Sequence, residues 1–303
     1  MLSAIGSFLS PSILGRDKSP DSYVKDARLD SIFRNIWLRK TAKHDRYRAR
    51  RSELTLSKDF SKVPIRLAYD FFEPEWNCED EVRFGSDLVS DGDGPKFTCG
   101  VELLNSLDEC IVYSIGSNYD FSFEYAVHNT APHCVIHTFD GTLNLTERAL
   151  PDDLGDKNIH FHNQNVVAED CHAQSSVPSL CVADVLKKLN HEHKTITWLK
   201  VDCEGCEFTV MPIFMKYEVK VDQIMIEVHG TDAVQVAELF QVLHDAGLMI
   251  FHKERNHWGC DGYHCVEYSL ITAEYGKRVV QNYLSASKSP GSFSENIPGL
   301  SRG

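Results

Sequence analysis

Two apolar runs of the sequence each end in a group of acidic and reactive side chains. The run WLKVDCEGCEF carries Asp202 and Glu204 directly after its apolar part, and the run IMIEVHG carries Glu227 and His229 at the same place. Carboxylates beside a histidine can exchange protons with a substrate, because the unperturbed pKa of histidine lies near about 6.5. The two runs therefore predict a catalytic or ligand-binding site, with these four side chains as its candidate catalytic residues.

Metal binding is a second use for the same four side chains. They would form an oxygen-rich site for Mg²⁺ or Mn²⁺, and such an ion lowers the pKa of a bound hydroxyl. The C-x-x-C pair of Cys203 and Cys206, with HWGCDGYHC over residues 257–265, adds ligands of the kind that zinc prefers. The second stretch lacks C-x-x-C spacing, so core cysteines, or disulfides such as Cys78 to Cys99 if the protein is exported, are favoured over zinc. No resident metal is predicted, and a metal-assisted variant remains the alternative.

The two runs belong to a series of seven short, strand-like segments that Gly, Asp or Asn terminates. The segments are residues 110–116, 133–141, 158–167, 196–205, 222–230, 247–255 and 265–272. Helical periodicity separates several of them, most clearly over 176–192, where Leu180 lies on the apolar face, and over 232–247, where Gly247 is placed as a C-cap. Strands separated by helices predict a doubly wound α/β fold with a mostly parallel sheet covered on both faces.

Two further residues stand at the predicted carboxyl ends of strands, where such folds bind ligands. Gly116 ends the first segment, and its missing Cβ lets backbone N–H groups approach a ligand. Asp140 ends the second segment, where a carboxylate suits the two ribose hydroxyls of a nucleoside. Each residue also fits a purely structural role, a turn at Gly116 and an N-cap or turn at Asp140. The missing G-x-G-x-x-G fingerprint argues against NAD or FAD.

Four motifs, in the order VYSIGSNYDFSFE, HTFDGT, WLKVDCEGCEF and IMIEVHG, resemble those of S-adenosylmethionine-dependent methyltransferases. They are most similar to the methyltransferase-like domain family related to the FkbM group. The most specific similarity is to the FkbM pattern K-x-D-x-E-G-x-E, carried here by Lys200, Asp202, Glu204, Gly205 and Glu207. The resemblance spans residues 71–272 and implies a Rossmann-like class I methyltransferase fold with S-adenosyl-L-methionine as cofactor.

The segment upstream of the domain resembles the same family, in which a cysteine element leads to Arg-x-Gly and then to D-G-G-K-[WF]-x-C. The matching residues are Cys78, Arg83, Gly85, Asp93, Gly94, Lys96, Phe97 and Cys99. Pro95 stands where a glycine is usual, and Ser114 and Asp120 replace an acid and a second glycine of FkbM proteins. These departures leave open a second interpretation, a non-catalytic binding module that kept the fold and lost the chemistry.

The resemblance also implies roles for individual residues. Those around the cofactor follow the first three strands: Gly116, Ser117 and Asn118 at its methionine and ribose portions, Asp140 at the ribose hydroxyls, and Asn165 and Asp170 at the adenine. His229 is the candidate base for a hydroxyl acceptor, with Glu227 beside it. Asp202 and Glu204 would pair with the amino group of the cofactor or with the substrate. The implied reaction is O-methylation of a small-molecule or carbohydrate-like acceptor.

The charge of the chain is uneven. The 303 residues carry a net charge of −13, yet residues 34–51 contain eight Lys or Arg against Asp45 alone. The acidic remainder argues against a nucleic-acid partner for the main domain. The basic segment is predicted to be a solvated helix or flexible arm, with contact to a membrane, an acidic partner or RNA as the alternative.

The ends of the chain are rich in Ser, Pro and Gly. We predict an N-terminal extension over 1–60 that is partly disordered, a methyltransferase-like domain over 61–284 and a disordered tail over 285–303. No run reaches the roughly 18 apolar residues of a membrane helix, and the N-terminus lacks the basic n-region of a signal peptide. These features predict a soluble protein, cytoplasmic by default and in the secretory pathway if the N-terminus is incomplete.

Overall fold

The computed structural model describes residues 59–78, 81–85, 95–168, 177–217, 219–256 and 264–286. The strands are β1 (Glu81–Phe84), β2 (Lys96–Cys99), β3 (Ile111–Ile115), β4 (Val135–Phe139), β5 (Ile159–His162), β6 (Asn165–Val167), β7 (Ser179–Cys181), β8 (Thr195–Val201), β9 (Lys220–His229), β10 (Leu248–Arg255) and β11 (Cys265–Thr272). The helices are α1 (Ile65–Ala68), α2 (Val101–Leu104), α3 (Ser122–Thr130), α4 (Val182–Leu189), α5 (Glu207–Lys216), α6 (Ala233–Asp245) and α7 (Ala273–Ala286). Three predicted features lie outside the described residues: the basic segment 34–51, Asp170, and all of the tail 285–303 except its first two residues.

Seven of the strands form one sheet in the order β10-β11-β9-β8-β3-β4-β5. β3 is parallel to β4 and β8, β4 to β5, and β8 to β9. β11 runs antiparallel to both of its neighbours, β9 and β10. The predicted doubly wound, mostly parallel sheet is confirmed. Because the order reverses between β3 and β8, the carboxyl ends of these two strands mark the crevice where such sheets bind ligands.

The sheet is covered on both faces. In β3, Ile111, Tyr113 and Ile115 pack into the core that α4, α5 and α6 complete, whereas Val112 points into the opposite core with α3. α7 packs on the same side as α3, over β10 and β11. Among the described residues, no helix combines the length and the apolar composition that crossing a bilayer requires.

Two predicted elements differ from the structure. The segment predicted as one strand over 158–167 is two strands, because β6 leaves the large sheet and pairs with β7. The helix predicted over 176–192 begins only at Val182, since Leu180 lies in β7 opposite Val166. Pro178 immediately precedes β7, and its carbonyl accepts from Asn165 N at 2.8 Å. The predicted C-cap is confirmed, because Gly247 follows α6 with φ +85° and donates to His244 O at 2.9 Å.

The β1–β2 hairpin contacts β9 and β11 of the large sheet through β2 and is fixed there by polar contacts. Gln223 of β9 accepts from Cys99 N at 2.7 Å and donates to Cys99 O at 3.3 Å. Ser269 of β11 donates to Phe97 O at 2.7 Å. A disulfide joins Cys78 to Cys99, the pairing considered above. Because β2 is held at its far end and along its length, its first residue, Lys96, is placed among the ends of β8, β9 and β11.

Candidate functional site

The loops after β3 and β8 contact each other at Gly116. Lys200 Nζ donates to Gly116 O at 2.5 Å, and Asp202 N donates to Ile115 O at 2.8 Å. Gly116 has φ +86°, and a Cβ at this position would lie 1.7 Å from Asp202 O. Only glycine fits there, because a side chain would collide with the backbone of the neighbouring loop. The predicted cofactor-binding and catalytic loops are therefore adjacent.

Asp140, at the end of β4, organises the loop after β3. Its Oδ2 accepts from Ser117 N at 3.0 Å and Asn118 N at 2.8 Å, and its Oδ1 accepts from Thr142 N at 2.9 Å and Thr142 Oγ1 at 2.6 Å. Burial alone would raise the pKa of Asp140, but the hydrogen bonds from Thr142, Asn118 and Ser117 hold that pKa below its usual value. The structure thus brings together Gly116, Ser117, Asn118 and Asp140, and Asp140 is a carboxylate at neutral pH.

Asn165, one of the two residues expected at the adenine, lies beside the same loop. Its Oδ1 accepts from Gly141 N at 2.8 Å, so the side-chain carbonyl already has a partner in the chain. The other residue, Asp170, lies outside the described residues. An adenine contact by either residue stays a prediction.

Lys96 forms the centre of a buried charge cluster. Its side chain is 1% exposed, and Nζ lies 3.0 Å from Asp202 Oδ2, 3.8 Å from Glu227 Oε2 and in hydrogen-bond contact with Glu267 Oε1. Burial opposes the charge of Lys96, but the charges of Glu267, Asp202 and Glu227 raise its pKa overall. Lys96 is therefore a cation held by three acids from three different strand ends.

The three acids respond differently to this ammonium group. Burial opposes the ionisation of Asp202, but the charge of Lys96 holds the pKa of Asp202 well below its usual value. Burial and the charges of Glu267 and Asp202 raise the pKa of Glu227 to about 8. Burial likewise raises the pKa of Glu267. At neutral pH the cluster therefore contains an ionised Asp202 and a protonated Glu227, which Asn256 Nδ2 contacts at 2.8 Å.

The four residues considered for a divalent ion do not form one compact set. Carboxylate oxygens of Asp202, Glu227 and Glu267 lie within 4.8 Å of one another, but the ammonium of Lys96 lies among them. The side chain of Glu204 is 85% exposed and lies 3.5 Å from His229 Nε2. A side-chain cation thus lies among Asp202, Glu227 and Glu267, and the metal-assisted alternative stays a prediction.

His229, at the end of β9, is held by Glu207, the first residue of α5. Glu207 is fully buried, and its Oε1 accepts from His229 N at 2.6 Å and lies 3.3 Å from His229 Nδ1. Its Oε2 accepts from Gly205 N at 3.0 Å. With Nδ1 engaged by Glu207, Nε2 of His229 points toward Glu204 and Glu227, 3.5 Å and 3.9 Å away. This arrangement fixes the orientation of the ring, and it favours the Nδ1–H tautomer when the ring is neutral.

The same contacts make His229 a stronger base than expected. Burial alone would lower the pKa of His229, but the hydrogen bond and charge of Glu207, with the charges of Glu227 and Glu204, raise it to about 9. The pKa of His229 is therefore not the unperturbed value of about 6.5 on which its prediction as a base relied. His229 is protonated at neutral pH and becomes a free base only at alkaline pH.

The C-x-x-C pair between these residues is a disulfide, Cys203–Cys206. Two sulfurs joined to each other are not thiolate ligands, so this pair does not bind zinc in this form. Cys265 of the second cysteine and histidine stretch is disulfide-bonded as well. In the part of the chain that the structure describes, no cysteine is a free thiol. These three cysteines are therefore disulfide-bonded in the structure, and the absence of zinc stays a prediction.

Three residues of the site were given no role from the sequence. Lys96 and Glu207 belong to motifs that resemble the family, and this was the available signal for them. Glu267 is an acid inside the apolar run CVEYSLIT, which is unusual for a strand buried on both faces. Their partners are distant in sequence, and only the folded chain brings them together.

A groove of about 720 Å³ lies at the opposite end of the sheet. Its lining includes Thr195, Lys220 and Leu248, the first residues of β8, β9 and β10. Parallel sheets bind their ligands at the carboxyl ends of strands, so the site is assigned to the residues at those ends and not to this groove.

Comparison with known proteins gives a family match. A family model described as a methyltransferase domain matches residues 25–272, more than half of the chain. No curated protein is similar enough to match.

Several solved structures are remotely similar. The fibrillarin pre-rRNA processing protein of Methanococcus jannaschii has 12% identity and a TM-score of 0.35, over 54% of this chain and 66% of that one. The S-adenosyl-L-methionine complex of Aeropyrum pernix fibrillarin has 13% identity and a TM-score of 0.37, over 63% and 84%. The N-methyltransferase NodS of Bradyrhizobium japonicum, with S-adenosyl-L-homocysteine, has 11% identity and a TM-score of 0.32, over 57% and 84%. The chain therefore spans just under two thirds of the Methanococcus protein.

Proposed function

The chain belongs to the methyltransferase-domain family, and we propose that it methylates a hydroxyl oxygen of a small or carbohydrate-like acceptor. As a member of this family it is an S-adenosyl-L-methionine-dependent methyltransferase. The bound cofactor supplies a methyl carbon already activated by its sulfonium, so the protein has mainly to position the acceptor and to accept its proton. The observation that carries the proposal is the pairing of buried Glu207 with His229 at the end of β9.

Asp140 is proposed to hold the ribose hydroxyls of the cofactor. Its two oxygens already accept from two side-chain hydroxyls, Thr142 Oγ1 at 2.6 Å and Ser117 Oγ at 3.4 Å. Ribose hydroxyls are the same chemical group, so they can replace these two donors without leaving the carboxylate unsatisfied. The backbone N–H groups of Ser117 and Asn118 can keep their own bonds to Asp140 during this exchange. The donor set therefore fits the cofactor.

Substitutions at Asp140 and Thr142 test this placement. Asp140→Ala is expected to weaken S-adenosyl-L-methionine binding at least about tenfold, because a charge-assisted pair of hydrogen bonds is lost. Thr142→Val removes one competing hydroxyl with little change in shape, so it is expected to leave the affinity unchanged or slightly tighter. Calorimetric titration of both variants measures the two affinities. Equal weakening in both variants would mean that Asp140 acts only by holding its loop.

Proton removal from the acceptor is assigned to His229. Glu207 holds Nδ1, so Nε2 faces the side on which Asp202 and Glu204 end the neighbouring strand. Above the pKa of His229, about 9, the ring can accept the hydroxyl proton while the carboxylate of Glu207 stabilises the imidazolium that forms. Ionised Asp202 is suited to pair with the amino group of the cofactor. These placements support a hydroxyl acceptor, because an activated methyl group does not otherwise require a base this strong.

The charge of the site supports an uncharged acceptor. Five acids lie around the strand ends against two cations, Lys96 and His229; four of the acids remain when protonated Glu227 is set aside, and the net charge of the chain is −13. A phosphate-rich acceptor would be repelled by such a surface. Neutral hydroxylated molecules, with carbohydrates among them, meet no such barrier.

Methyl transfer from isotope-labelled S-adenosyl-L-methionine to a panel of acceptors tests the proposal. The panel compares neutral sugars and small alcohols with amines and with an RNA of matched molarity. We expect label in an ether-type methyl group of a neutral hydroxylated acceptor, identified by mass spectrometry. Label found only on nitrogen or only on RNA would contradict the O-methylation proposed here, while leaving the methyltransferase assignment in place.

A further inference from the structure

The Cys203–Cys206 disulfide lies inside the candidate site, between the end of β8 and the start of α5. Both of its cysteines are half-buried, whereas Cys110 and Cys134, which form another disulfide, are 3% and 0% exposed. Exchange with an external thiol requires that the attacking thiolate reach a sulfur atom. The Cys203–Cys206 bond is therefore the more accessible of the two to a reductant in the folded chain.

The disulfide closes a loop with an unusual backbone conformation. Glu204 and Gly205, the residues between the two cysteines, have φ of +55° and +108°. A residue other than glycine keeps a left-handed conformation only where the surrounding structure holds it. Here the disulfide and the hydrogen bond from Gly205 N to Glu207 Oε2 both constrain the loop. Opening the disulfide removes one of these constraints.

Glu207 connects this loop to His229. Its Oε2 lies 3.6 Å from Cys203 Sγ, and its Oε1 accepts from His229 N at 2.6 Å. A disulfide sulfur carries no hydrogen, but a thiol is a hydrogen-bond donor. Reduction therefore adds an S–H donor beside the oxygen of Glu207 that already accepts from Gly205.

We propose that Cys203–Cys206 is a reversible redox site for a dithiol reductant, and that its oxidation state controls the hydrogen bonds of Glu207 to Gly205 and His229. A thiolate of the dithiol attacks one sulfur, the S–S bond breaks, and a mixed disulfide forms. The second thiol of the reductant then displaces the cysteine and leaves with the first as a disulfide. Two electrons and two protons pass to the cysteine pair. This redox site does not depend on which acceptor is methylated.

The two cysteines have different surroundings, which sets their roles after reduction. Cys203 faces the carboxylate of Glu207, which favours the protonated thiol. Cys206 is the N-cap of α5, where the positive end of the helix dipole favours a thiolate. Cys206 is therefore the thiolate that re-forms the disulfide on oxidation.

Graded reduction of the native full chain tests the site. The protein is treated with increasing dithiothreitol, free thiols are trapped with iodoacetamide, and the labelled peptides are quantified by mass spectrometry. We expect Cys203 and Cys206 to be labelled at a dithiothreitol concentration at least about tenfold below that required for Cys110 and Cys134. Oxidised glutathione should restore the disulfide. Opening of both pairs together, or only when the chain unfolds, would overturn the proposal.

Hydrogen exchange tests the link to Glu207. In the reduced chain, the backbone N–H groups of Gly205 and His229 are expected to exchange at least about threefold faster, because their shared acceptor is reoriented. The N–H groups of β3 serve as the internal control and should not change. Unchanged exchange at both positions, with reduction shown to be complete, would overturn the link.

Two double variants separate the new donor from simple loss of the crosslink. Cys203→Ser with Cys206→Ser keeps a hydroxyl donor beside Glu207, whereas Cys203→Ala with Cys206→Ser does not. The acids that face His229 are the same in both variants: Asp202, Glu204, Glu207 and Glu227. NMR titration of the ring should give a pKa of His229 lower in the first variant than in the second. Equal values would overturn the donor role, and reduced wild type, which also has a donor at position 203, replaces the first variant in this comparison if that variant does not fold.

Discussion

Replacing Lys96 by methionine is expected to lower the free energy of unfolding by about 3–5 kcal/mol. Methionine keeps the length and flexibility of the lysine stem, so the change removes the ammonium group and little packing. The carboxyl groups of Asp202, Glu227 and Glu267 would then be buried together without the ammonium group that lies among all three. Equilibrium unfolding in urea, with the disulfides intact, measures the loss.

A surface lysine provides the matched control. Lys62 Nζ lies 2.6 Å from Asp59 Oδ2, but the lysine side chain is 81% exposed, so Lys62→Met should leave the stability unchanged within the error of the measurement. The loss in Lys96→Met should also be smaller at about pH 5 than at about pH 8, because unpaired buried carboxyl groups bind protons as the pH falls. A loss under about 1 kcal/mol at both pH values would contradict the charge balance described for the cluster.

The main sheet could be predicted because its strands are recognisable locally. Residues of β3 alternate between two cores, with Tyr113 in one and Val112 in the other, so the strand reads as a continuous apolar run. A polar residue or glycine ends such a run where the chain leaves the sheet. Gly116, Asp140, Asp202 and His229 were therefore placed at strand ends, and the parallel order of the sheet brings those ends to one edge.

Elements whose identity depends on distant partners could not be predicted in the same way. Leu180 fits the apolar face of a helix, yet pairing with Val166 places it in a strand. Lys96 is 106 residues from Asp202 and 171 from Glu267, and nothing in the local pattern indicates that these side chains meet. The basicity of His229 likewise follows from a long-range contact, because Glu207 belongs to a different element and reaches it only in the folded chain.

Replacing Glu207 by glutamine is expected to change both the pH dependence and the maximal rate of methyl transfer. Glutamine keeps the shape of the side chain and removes its charge, so the pKa of His229 should fall from about 9 toward about 6.5. The rate of the variant should level off near that lower pH, at a maximum about 10²-fold below that of the wild type, because a weaker and less well oriented base removes the proton. The pH–rate profile and an NMR titration of His229 measure the two effects.

Two further variants identify the group that titrates. His229→Gln should abolish the rise in rate with pH, since the proposed base is removed. Glu238→Gln makes the same chemical change as Glu207→Gln on an exposed part of α6, and neither the profile nor the maximal rate should change. A rise that persists near pH 9 in Glu207→Gln would mean that another group accepts the proton of the acceptor.

Stability measurements test the same pair without any acceptor. Because the pKa of His229 in the folded chain, about 9, lies above its unfolded value, the pair stabilises the fold below about pH 6.5. That contribution, about 2 kcal/mol after allowance for solvent screening, is lost as the pH rises through about 9. The stability difference between wild type and Glu207→Gln should therefore shrink over this range. If the stability difference shrinks while the maximal rates of the two proteins stay equal, Glu207 orders the end of β9 but His229 is not the base. If the stability difference and the maximal rate change together, the charge that stabilises the fold is the one that drives proton removal.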